Sequence, residues 1–377
     1  MTRIAIAVAL ALGGQVALAQ QTVKIAGLVE LSGPGTTSGT EFRNGLQLAV
    51  KEINAAGGIL GRKIELEIND TQSNPAVAKA LTVKAIDNDV YVIMGPVFSG
   101  SIMVSQAESR RAEVPNFTGG EATAVTLQGN PYIFRTSFSQ ATGMPKVANY
   151  IASRMKAKSV VVMFVNNDFG KGGRDQIIKE LGARNIKVAA DISTDPGQVD
   201  FSSPVLRAKQ TNADTLFAYL NEEESARLLK ELRKQGYAKP IIGETTITGQ
   251  KVIELAGDAA NGVVGHVGLT IDAPLPSIRG FAQRFEKEFK EKTDHNGIKG
   301  YTGMYVVKAV TEKLGKFDRK AFAAAMKNAC FSAKQVPGLL MDLCYDDKGD
   351  IDRESFLVEV KNGKQVVTQT LPPLSKK

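Results

Sequence analysis

The sequence predicts an α/β protein with two doubly wound, Rossmann-like lobes that are joined by several crossovers of the chain. Short β-like runs alternate with amphipathic helical stretches from Val23 onward, and the same alternation starts again after Arg135. Repeated βα units are typical of parallel sheets covered by helices on both faces. No linker rich in Pro, Gly or Ser separates the two runs. This favours interwoven lobes over two domains in succession.

The first run contains three predicted strands and three predicted helices. Apolar residues recur at helical spacing in Glu41–Ala55, and this stripe ends at Gly57-Gly58. A second helix is predicted to begin at Asn74-Pro75, and a third covers Ile102–Arg111. The predicted strands are Val23–Leu28, Ile64–Ile68 and Val90–Met94.

The second run alternates helices and strands in the same way. Its predicted helices are Thr142–Met155, Gly170–Leu181, Ser203–Gln210 and Glu223–Gln235. Its predicted strands are Ser159–Val165, Val188–Ile192, Thr215–Tyr219 and Ile241-Ile242. Two such runs predict two doubly wound sheets.

The C-terminal third departs from this alternation. Two long helices, Ser277–Lys292 and Thr302–Leu314, are predicted after the segment Gly262–Thr270. A further helix is predicted from Arg319 to Asn328. We expect these helices to return to the first lobe, because the remaining length is too short for a third domain.

The last part of the chain is predicted to form antiparallel strands. Residues Leu339–Val367 carry turn signals at Asp347-Lys348-Gly349 and Lys361-Asn362-Gly363. We expect these strands to join the second lobe, which implies a hinge between the lobes. The expected lobes are residues 20–139 with about 269–345, and residues 140–268 with about 346–377.

The first 19 residues have the pattern of a secretory signal peptide. Arg3 supplies an early positive charge, Ile4–Ala11 is apolar, and Ala17-Leu18-Ala19 fits a small-residue cleavage site. The apolar run is well short of the roughly 20 residues that span a bilayer, which disfavours a transmembrane anchor. We expect cleavage after Ala19 and a mature protein in the periplasm.

The charge pattern does not indicate a nucleic-acid-binding protein. The formal net charge of +8 falls to +7 when Arg3 leaves with the leader. The densest charged grouping, Phe285–Lys292, alternates in sign as solvated helix faces do. Nucleic-acid binding would need a basic stripe with interleaved aromatic residues. We interpret the charge as a contribution to solubility, and a mild preference for anionic ligands stays open.

The two cysteines, Cys330 and Cys344, are close in sequence. In a chain exported to an oxidising compartment, such a pair favours one small disulfide loop over two buried thiols. The two histidines, His266 and His295, are 29 positions apart and near no cysteine. We therefore expect no metal site and no cofactor.

Common catalytic motifs are absent from the sequence. Lys171-Gly172-Gly173-Arg174 lacks the spacing of a phosphate-binding loop. There is no G-x-S-x-G motif, and neither histidine has an obvious nucleophile partner. We expect a binding protein rather than an enzyme.

Several motifs follow one another in a specific order in the N-terminal part of the chain. They are Val23–Gly27, Leu31–Pro34, Ser38-Gly39, Ala49–Gly61, Asn69–Thr71 with Asn74-Pro75, and Gly95-Pro96 with Ser99. In this order they resemble the type I periplasmic binding proteins of the leucine/isoleucine/valine family, which are receptors of ABC importers. The resemblance runs from about Val23 to the C-terminus. Its most specific part is the A-V-x-x-I-N-x-x-G-G-I-x-G segment.

The resemblance implies a ligand cleft between the lobes, lined by loops at the carboxyl ends of the strands. Open α/β sheets generally bind ligands there. Ser99 matches the family serine that hydrogen-bonds the ligand carboxylate, and Phe98 precedes it in the same loop. A helix is expected to begin near Ser101, and its N-terminus would favour a carboxylate. The alternative is that Ser99 only caps this helix.

The segment Thr118–Thr123 matches the family's second ligand loop, although two glycines and Glu121 replace the common small and hydroxyl residues. The register of this match is open by one position. The resemblance implies that Gly120 offers its carbonyl, and that either Glu121 or Thr123 contributes a side chain. A loop without ligand contacts is the alternative.

Three further positions match places where relatives carry aromatic residues. Phe169 stands where many have tyrosine, so it would either close over the ligand as an apolar lid or pack under the following helix. Asn221 and Ser38 also replace aromatic residues of some relatives. We expect the pocket to be more polar near Asn221 and wider near Ser38.

Glu244 is the most informative position. It matches the family's acidic residue that pairs with the α-ammonium group of an amino acid, and it follows a predicted strand between Gly243 and Thr245. If it faces the cleft, it favours a zwitterionic ligand. A surface acid without a role is the alternative.

The resemblance implies a receptor that closes on its ligand by hinge rotation and delivers it to a membrane permease. We expect an amino acid with an aliphatic or aromatic side chain as the ligand. An aromatic or aliphatic carboxylate is the alternative ligand. A ligand sensor of the same fold is the alternative from another functional class.

Overall fold

The computed structural model describes residues 21–374, whose strands form three sheets. The predicted signal peptide at residues 1–19 lies outside this range. Between residues 21 and 374, no helix combines the length and the apolar character that a membrane span requires.

The first sheet is parallel throughout, in the order β2-β1-β3-β4-β5. Its strands are β1 (Thr22–Val29), β2 (Lys63–Asp70), β3 (Val92–Met94), β4 (Asn116–Thr118) and β5 (Ile133–Arg135). The helices between them are α1 (Thr36–Ala55), α2 (Pro75–Asp87), α3 (Ser99–Arg111) and α4 (Ala124–Leu127). The strands β4 and β5 are additions to the predicted elements, because three residues are too few to show a periodicity.

The second sheet has the order β15-β14-β10-β9-β8-β6-β7. Its parallel strands are β6 (Ser159–Val165), β7 (Lys187–Thr194), β8 (Thr215–Tyr219), β9 (Ile241–Glu244) and β10 (Val264–Val267). The accompanying helices are α5 (Gln140–Ser153), α6 (Asp168–Gly182), α7 (Ser202–Gln210), α8 (Glu222–Lys234) and α9 (Gln250–Ala256).

Two late strands, β14 (Ser355–Lys361) and β15 (Lys364–Leu371), extend the second sheet in antiparallel fashion. Asn362 and Gly363 between them both have positive φ values of 49° and 74°. Two successive residues with positive φ are what a type I′ hairpin requires. The predicted antiparallel strands and this turn are therefore confirmed.

The third, small sheet consists of β11 (Cys330–Phe331), β12 (Leu343–Tyr345) and β13 (Ile351–Asp352). Cys330 and Cys344 are direct partners across β11 and β12 and form a disulfide. The predicted disulfide is confirmed.

Three late helices, α10 (Pro276–Phe289), α11 (His295–Leu314) and α12 (Arg319–Met326), precede the small sheet. The predicted helix from Thr302 begins seven residues earlier, at His295, and α1 begins at Thr36 rather than Glu41. Glycines lower helix propensity and so obscured the start of α11.

Helices α1 and α11 cross at close range through glycines. A Cβ on Gly45 would lie 1.9 Å from the carbonyl oxygen of Gly297, and one on Gly300 would lie 2.1 Å from that of Phe42. Only residues without a side chain allow the two backbones to approach so closely. This contact fixes the N-terminal turn of α11 against α1, beside the ends of the first-sheet strands.

Within the described residues, the chain passes between the two large sheets three times. The connections run from β5 to α5, from β10 to α10 and from β13 to β14. The carboxyl ends of the parallel strands of both sheets, and the loops that follow them, surround the candidate site.

Candidate functional site

A cavity of about 40 Å³ lies among the loops at the carboxyl ends of the strands, which leaves room for a few water molecules. The loops and helices of the first sheet and α11 contribute Ser38, Val97, Phe98, Ser99, Gly119, Gly120, Glu121, His295, Asn296 and Lys299. The second sheet's loops and helices contribute Phe169, Asn221, Glu222 and Thr246.

Seven of the nine candidate ligand-binding residues line this cavity. They are Ser38, Phe98, Ser99, Gly120, Glu121, Phe169 and Asn221. Thr123 and Glu244 are not among the lining residues.

The loop before α3 is held by a buried carboxyl group. Glu30 accepts hydrogen bonds from the backbone N–H groups of Val97 (3.1 Å) and Phe98 (3.0 Å). Burial raises the pKa of Glu30 to about 7, against the lowering effect of these two bonds. Glu30 therefore acts as a positioning residue for the segment that contains Phe98 and Ser99.

Ser99 is the first residue of α3, and its side chain is almost fully buried. Its Oγ accepts a hydrogen bond from the backbone N–H of Ala122 at 3.2 Å, which leaves its hydroxyl hydrogen available as a donor. The N–H groups in the first turn of a helix also lack intrahelical acceptors. The site at Ser99 can therefore donate several hydrogen bonds to an anionic group.

The Gly120 loop is anchored from beneath by Arg135. The Gly120 carbonyl accepts hydrogen bonds from Nη1 of Arg135 (2.7 Å) and Oγ of Ser137 (2.8 Å). Both lone pairs of this oxygen are thus in use, contrary to the expectation that it is offered to a ligand. The contribution of Gly120 is its missing side chain, since a Cβ there would lie 2.4 Å from Cδ1 of Ile102.

The backbone of Thr123 is also bound by Arg135. Its backbone N–H donates to Oε1 of Gln140 at 3.4 Å, and its carbonyl accepts from Nη2 of Arg135 at 3.3 Å. The amide of Gln140 also donates to the Phe169 carbonyl at 2.8 Å. Gln140 therefore ties the Thr123 loop to the start of α6.

Glu121 forms a buried ion pair that was not predicted. Its Oε1 lies 2.9 Å from Nζ of Lys299, and its Oε2 accepts from the hydroxyl of Tyr219 at 3.1 Å. Lys299 also donates to Oδ1 of Asn296 (3.3 Å) and to the Gly119 carbonyl (3.4 Å). Burial raises the pKa of Glu121, and the positive charge of Lys299 opposes that rise.

Glu244 is buried outside the cavity lining. It accepts a hydrogen bond from Oγ1 of Thr245 at 2.5 Å and lies 3.2 Å from Nδ1 of His266. Burial raises the pKa of Glu244 to about 7 and lowers that of His266 to about 3. Nδ1 of His266 and the carboxyl group of Glu244 therefore share one hydrogen bond in the buried interior.

The remaining candidates lie on the cavity wall. The ring of Phe169 stacks on Tyr219 with centroids 4.1 Å apart. Asn221 precedes α8, and its side-chain amide donates to Oε2 of Glu224 at 3.0 Å. The hydroxyl of Ser38 donates to the Gly35 carbonyl at 3.2 Å.

Five polar lining residues were not predicted from the sequence, namely Glu222, Thr246, His295, Asn296 and Lys299. Three of them lie in the first turns of α11, which the predicted start at Thr302 left out. Asp294 caps this helix by accepting from the Asn296 N–H at 2.8 Å. An aspartate at this position is a recognisable start signal and could have found the helix.

Besides the bond from Tyr219 to Glu121, further hydrogen bonds connect the first-sheet side of the site with the second-sheet side. Oε1 of Glu222 accepts from Nδ2 of Asn296 at 3.2 Å, and Oε1 of Glu223 accepts from Oγ1 of Thr37 at 2.5 Å. Burial raises the pKa of Glu222 to about 8, and the nearby Glu223 and Asp294 add to this rise. In residues 21–374, no group of His, Cys, Asp or Glu is arranged to hold a metal ion.

Residues 22–365 match the family described as periplasmic binding protein. A Leu/Ile/Val-binding protein of Rhizobium johnstonii is 26% identical over 355 residues, which cover 93% of this chain and 95% of the relative. Such similarity extends over nearly the whole of both chains.

Two solved structures share the fold. The substrate-binding protein of a branched-chain amino acid transporter from Streptococcus pneumoniae, in complex with isoleucine, has a TM-score of 0.84 at 24% identity and covers 94% of this chain and 100% of its own. A solute-binding protein of an ABC transporter from Rhodopseudomonas palustris, in complex with benzoate, has a TM-score of 0.86 at 23% identity, with coverages of 94% and 98%. These likenesses confirm the predicted two-lobed α/β fold class.

Proposed function

Because this chain belongs to the periplasmic binding protein family, a family of transport receptors and not of enzymes, we propose that it is the substrate-binding component of an ABC importer. Its ligand is an amino acid with an aliphatic or aromatic side chain. The curated relative binds leucine, isoleucine and valine by its name, which supports this choice.

The chemical groups that line the cavity support this function most strongly. Ser99 and the N-terminus of α3 offer hydrogen-bond donors to a carboxylate. Glu121 and Glu222 are acceptors for an ammonium group, and Lys299 balances one of these charges. A cavity that is lined both by hydrogen-bond donors and by carboxyl groups suits a zwitterionic ligand.

Val97, Phe98 and Phe169 supply the apolar part of the lining. They would contact the side chain of the ligand, and Phe169 would cover it as an apolar lid. A buried aliphatic or aromatic side chain would contribute about 1.5–3 kcal/mol to binding through the area it removes from water.

We propose that binding closes two lobes, residues 20–139 with about 269–345 and residues 140–268 with about 346–377. The pairing of β13 with β12 supports an extension of the first lobe by a few residues. Three crossovers between the sheets provide the hinge. A ligand that contacts both walls stabilises the closed state, because it gains contacts there that the open state lacks.

The proposed site of action is the periplasm, reached through the leader at residues 1–19. The closed receptor would then present both lobes to a membrane permease, which takes over the ligand. Release from the receptor requires that the lobes open again on the permease.

An aromatic or aliphatic carboxylate is the second candidate ligand. The Rhodopseudomonas palustris relative in complex with benzoate supports it, and Phe98 and Phe169 would accept an aromatic ring. Such a ligand would use the donors at Ser99 and leave the acids of the cavity without a partner.

A thermal-shift experiment on the chain from Gln20 tests the proposal. The panel consists of L-leucine, L-isoleucine, L-phenylalanine, benzoate and 4-hydroxybenzoate. We expect the amino acids to raise Tm, since a ligand stabilises by RT ln(1 + [L]/Kd). The variant Ser99→Ala should lose the shift, and the exposed Ser153→Ala should keep it. A shift with the benzoates alone would contradict the amino-acid assignment.

A further inference from the structure

We propose that Glu222, and not Glu244, binds the ammonium group of the ligand. This inference rests on the proposed amino-acid carrier function. It concerns a carboxyl group of the cavity lining that forms no ion pair within residues 21–374.

The ionisable residues that line the cavity are Glu121, Glu222, His295 and Lys299. Lys299 has acceptors for all three of its N–H donors, in Glu121, Asn296 and Gly119. Its charge is therefore balanced by Glu121. Nδ1 of His295 lies 3.3 Å from Oδ1 of Asp294, so its partner is Asp294; burial lowers the pKa of His295, and Asp294 opposes this effect.

Glu222 remains without a counter-ion. Its side chain is only 4% exposed, and it receives one side-chain hydrogen bond, from Asn296. No lysine, arginine or histidine of residues 21–374 forms an ion pair with it. The titratable groups around it are Glu223 on α8, Asp294 and Lys299 from α11 and its N-cap, and Glu41 on α1. A buried carboxyl group in such surroundings gains most from an arriving cation.

Glu244 does not meet the same requirements. Thr245 and His266 both contact its Oε1, and Glu244 does not line the cavity. Glu121, which does line it, stands next to Glu244 and interacts with it electrostatically. The carboxyl groups that face the cavity are therefore those of Glu121 and Glu222.

The position of Glu222 would also couple binding to closure. Glu222 is the first residue of α8, on the second-sheet side, and Ser99 is the first residue of α3, on the first-sheet side. An amino acid with its carboxylate at Ser99 and its ammonium group at Glu222 would join the two walls. A carboxylate ligand without an ammonium group would lack this connection.

The test uses pairs of ligands that differ only in the ammonium group. They are L-leucine with 4-methylpentanoate, and L-phenylalanine with 3-phenylpropanoate. Titration calorimetry would compare wild type, Glu222→Gln and, as the matched control, Glu244→Gln. In buffer above the Glu222 pKa of about 8, where this carboxyl group is ionised, we expect Glu222→Gln to weaken amino-acid binding by about 100-fold, as the loss of one partner of a buried charge pair does. Its effect on the des-amino acids should stay within about threefold. Glu244→Gln should keep the preference for the amino acids.

Other outcomes would contradict either the role of Glu222 alone or the proposed function as well. If amino acids bind and only Glu244→Gln removes the preference, the inference is overturned and the proposed function stands. If only the des-amino acids bind wild type, or if no member of either pair binds, both fail. Should Glu222→Gln not fold, Glu222→Asp provides the same test, because it withdraws the charge by one methylene and should weaken amino-acid binding by about 10-fold.

Discussion

The ammonium group of Lys299 lies 2.9 Å from Oε1 of Glu121, with side chains that are 4% and 7% exposed. This pair links α11 to the loop after β4 across 178 positions of the sequence. It holds Glu121 at the cavity and neutralises it there.

We expect Lys299→Met to lower the free energy of unfolding by about 3–5 kcal/mol. The substitution leaves Glu121 buried without its partner, and removing one member of a buried pair has a cost of this size. Urea denaturation measures the change. The matched control is Lys51→Met, which breaks the more exposed pair with Glu288 and should cost no more than about 1 kcal/mol. Equal effects of the two variants would contradict the buried pair.

Gly120→Ala should weaken ligand binding and change the stability of the folded protein only slightly. The added Cβ would lie 2.4 Å from Cδ1 of Ile102 and 3.2 Å from Oγ of Ser99. The loop must shift to make room, and this shift disturbs the donors at Ser99. Calorimetry with the tightest amino acid of the panel measures the effect, for which we expect at least about tenfold weaker binding. Gly182→Ala, where a Cβ meets nothing within 4 Å, is the control and should bind as wild type does.

Stability should fall as pH rises from about 4.5 to about 8, partly because of Glu222. Burial raises its pKa from 4.5 to about 8, so the folded state keeps a proton that the unfolded state has lost. The contribution is fully present below about pH 4.5 and is lost as pH rises to the folded pKa. Glu222→Gln should therefore flatten this slope, by an amount on the order of a few kcal/mol between pH 5 and pH 8. Urea denaturation at both pH values, with the exposed Glu254→Gln as control, checks this. A slope that is identical in wild type and Glu222→Gln would refute the assignment.

Removal of the disulfide should destabilise the protein without abolishing ligand binding. Cys330 and Cys344 are 14 positions apart, and a loop of this length contributes about 3 kcal/mol by restricting the unfolded chain. We expect the double variant Cys330→Ser/Cys344→Ser to lose this amount in urea denaturation. Reduced wild type should unfold at the same urea concentration as the variant. Unchanged stability would show that the bridge does not constrain the unfolded chain.

The course of the parallel strands and most helices could be predicted, because their apolar residues repeat with the periods of strands and helices. The start of α11 could not, since Gly297 and Gly300 break the helical pattern in order to let α1 approach. The three-residue strands β4 and β5 were also beyond prediction, because hydrogen bonds to their neighbours define them rather than their own sequence.

Residues that line the cavity were predictable where a loop follows a strand directly, as at Ser99 and Glu121; their contact with a ligand stays a prediction. Lys299 could not be found, because its pairing with Glu121 depends on how α11 packs. Glu244 was expected in the cleft from its place at the end of β9, yet its carboxyl group bonds to Thr245 and His266. The end of a strand determines where a residue lies, but the neighbouring strand decides what its side chain contacts.

A crystal structure of the protein, grown with the amino acid that gives the largest thermal shift, would reveal directly how the ligand is bound. We predict one ligand molecule in the cavity, with its carboxylate at Ser99 and its ammonium group at Glu222. A ligand bound outside this cavity, or an empty cavity with the lobes in the same arrangement, would show that the cavity is not the ligand-binding site.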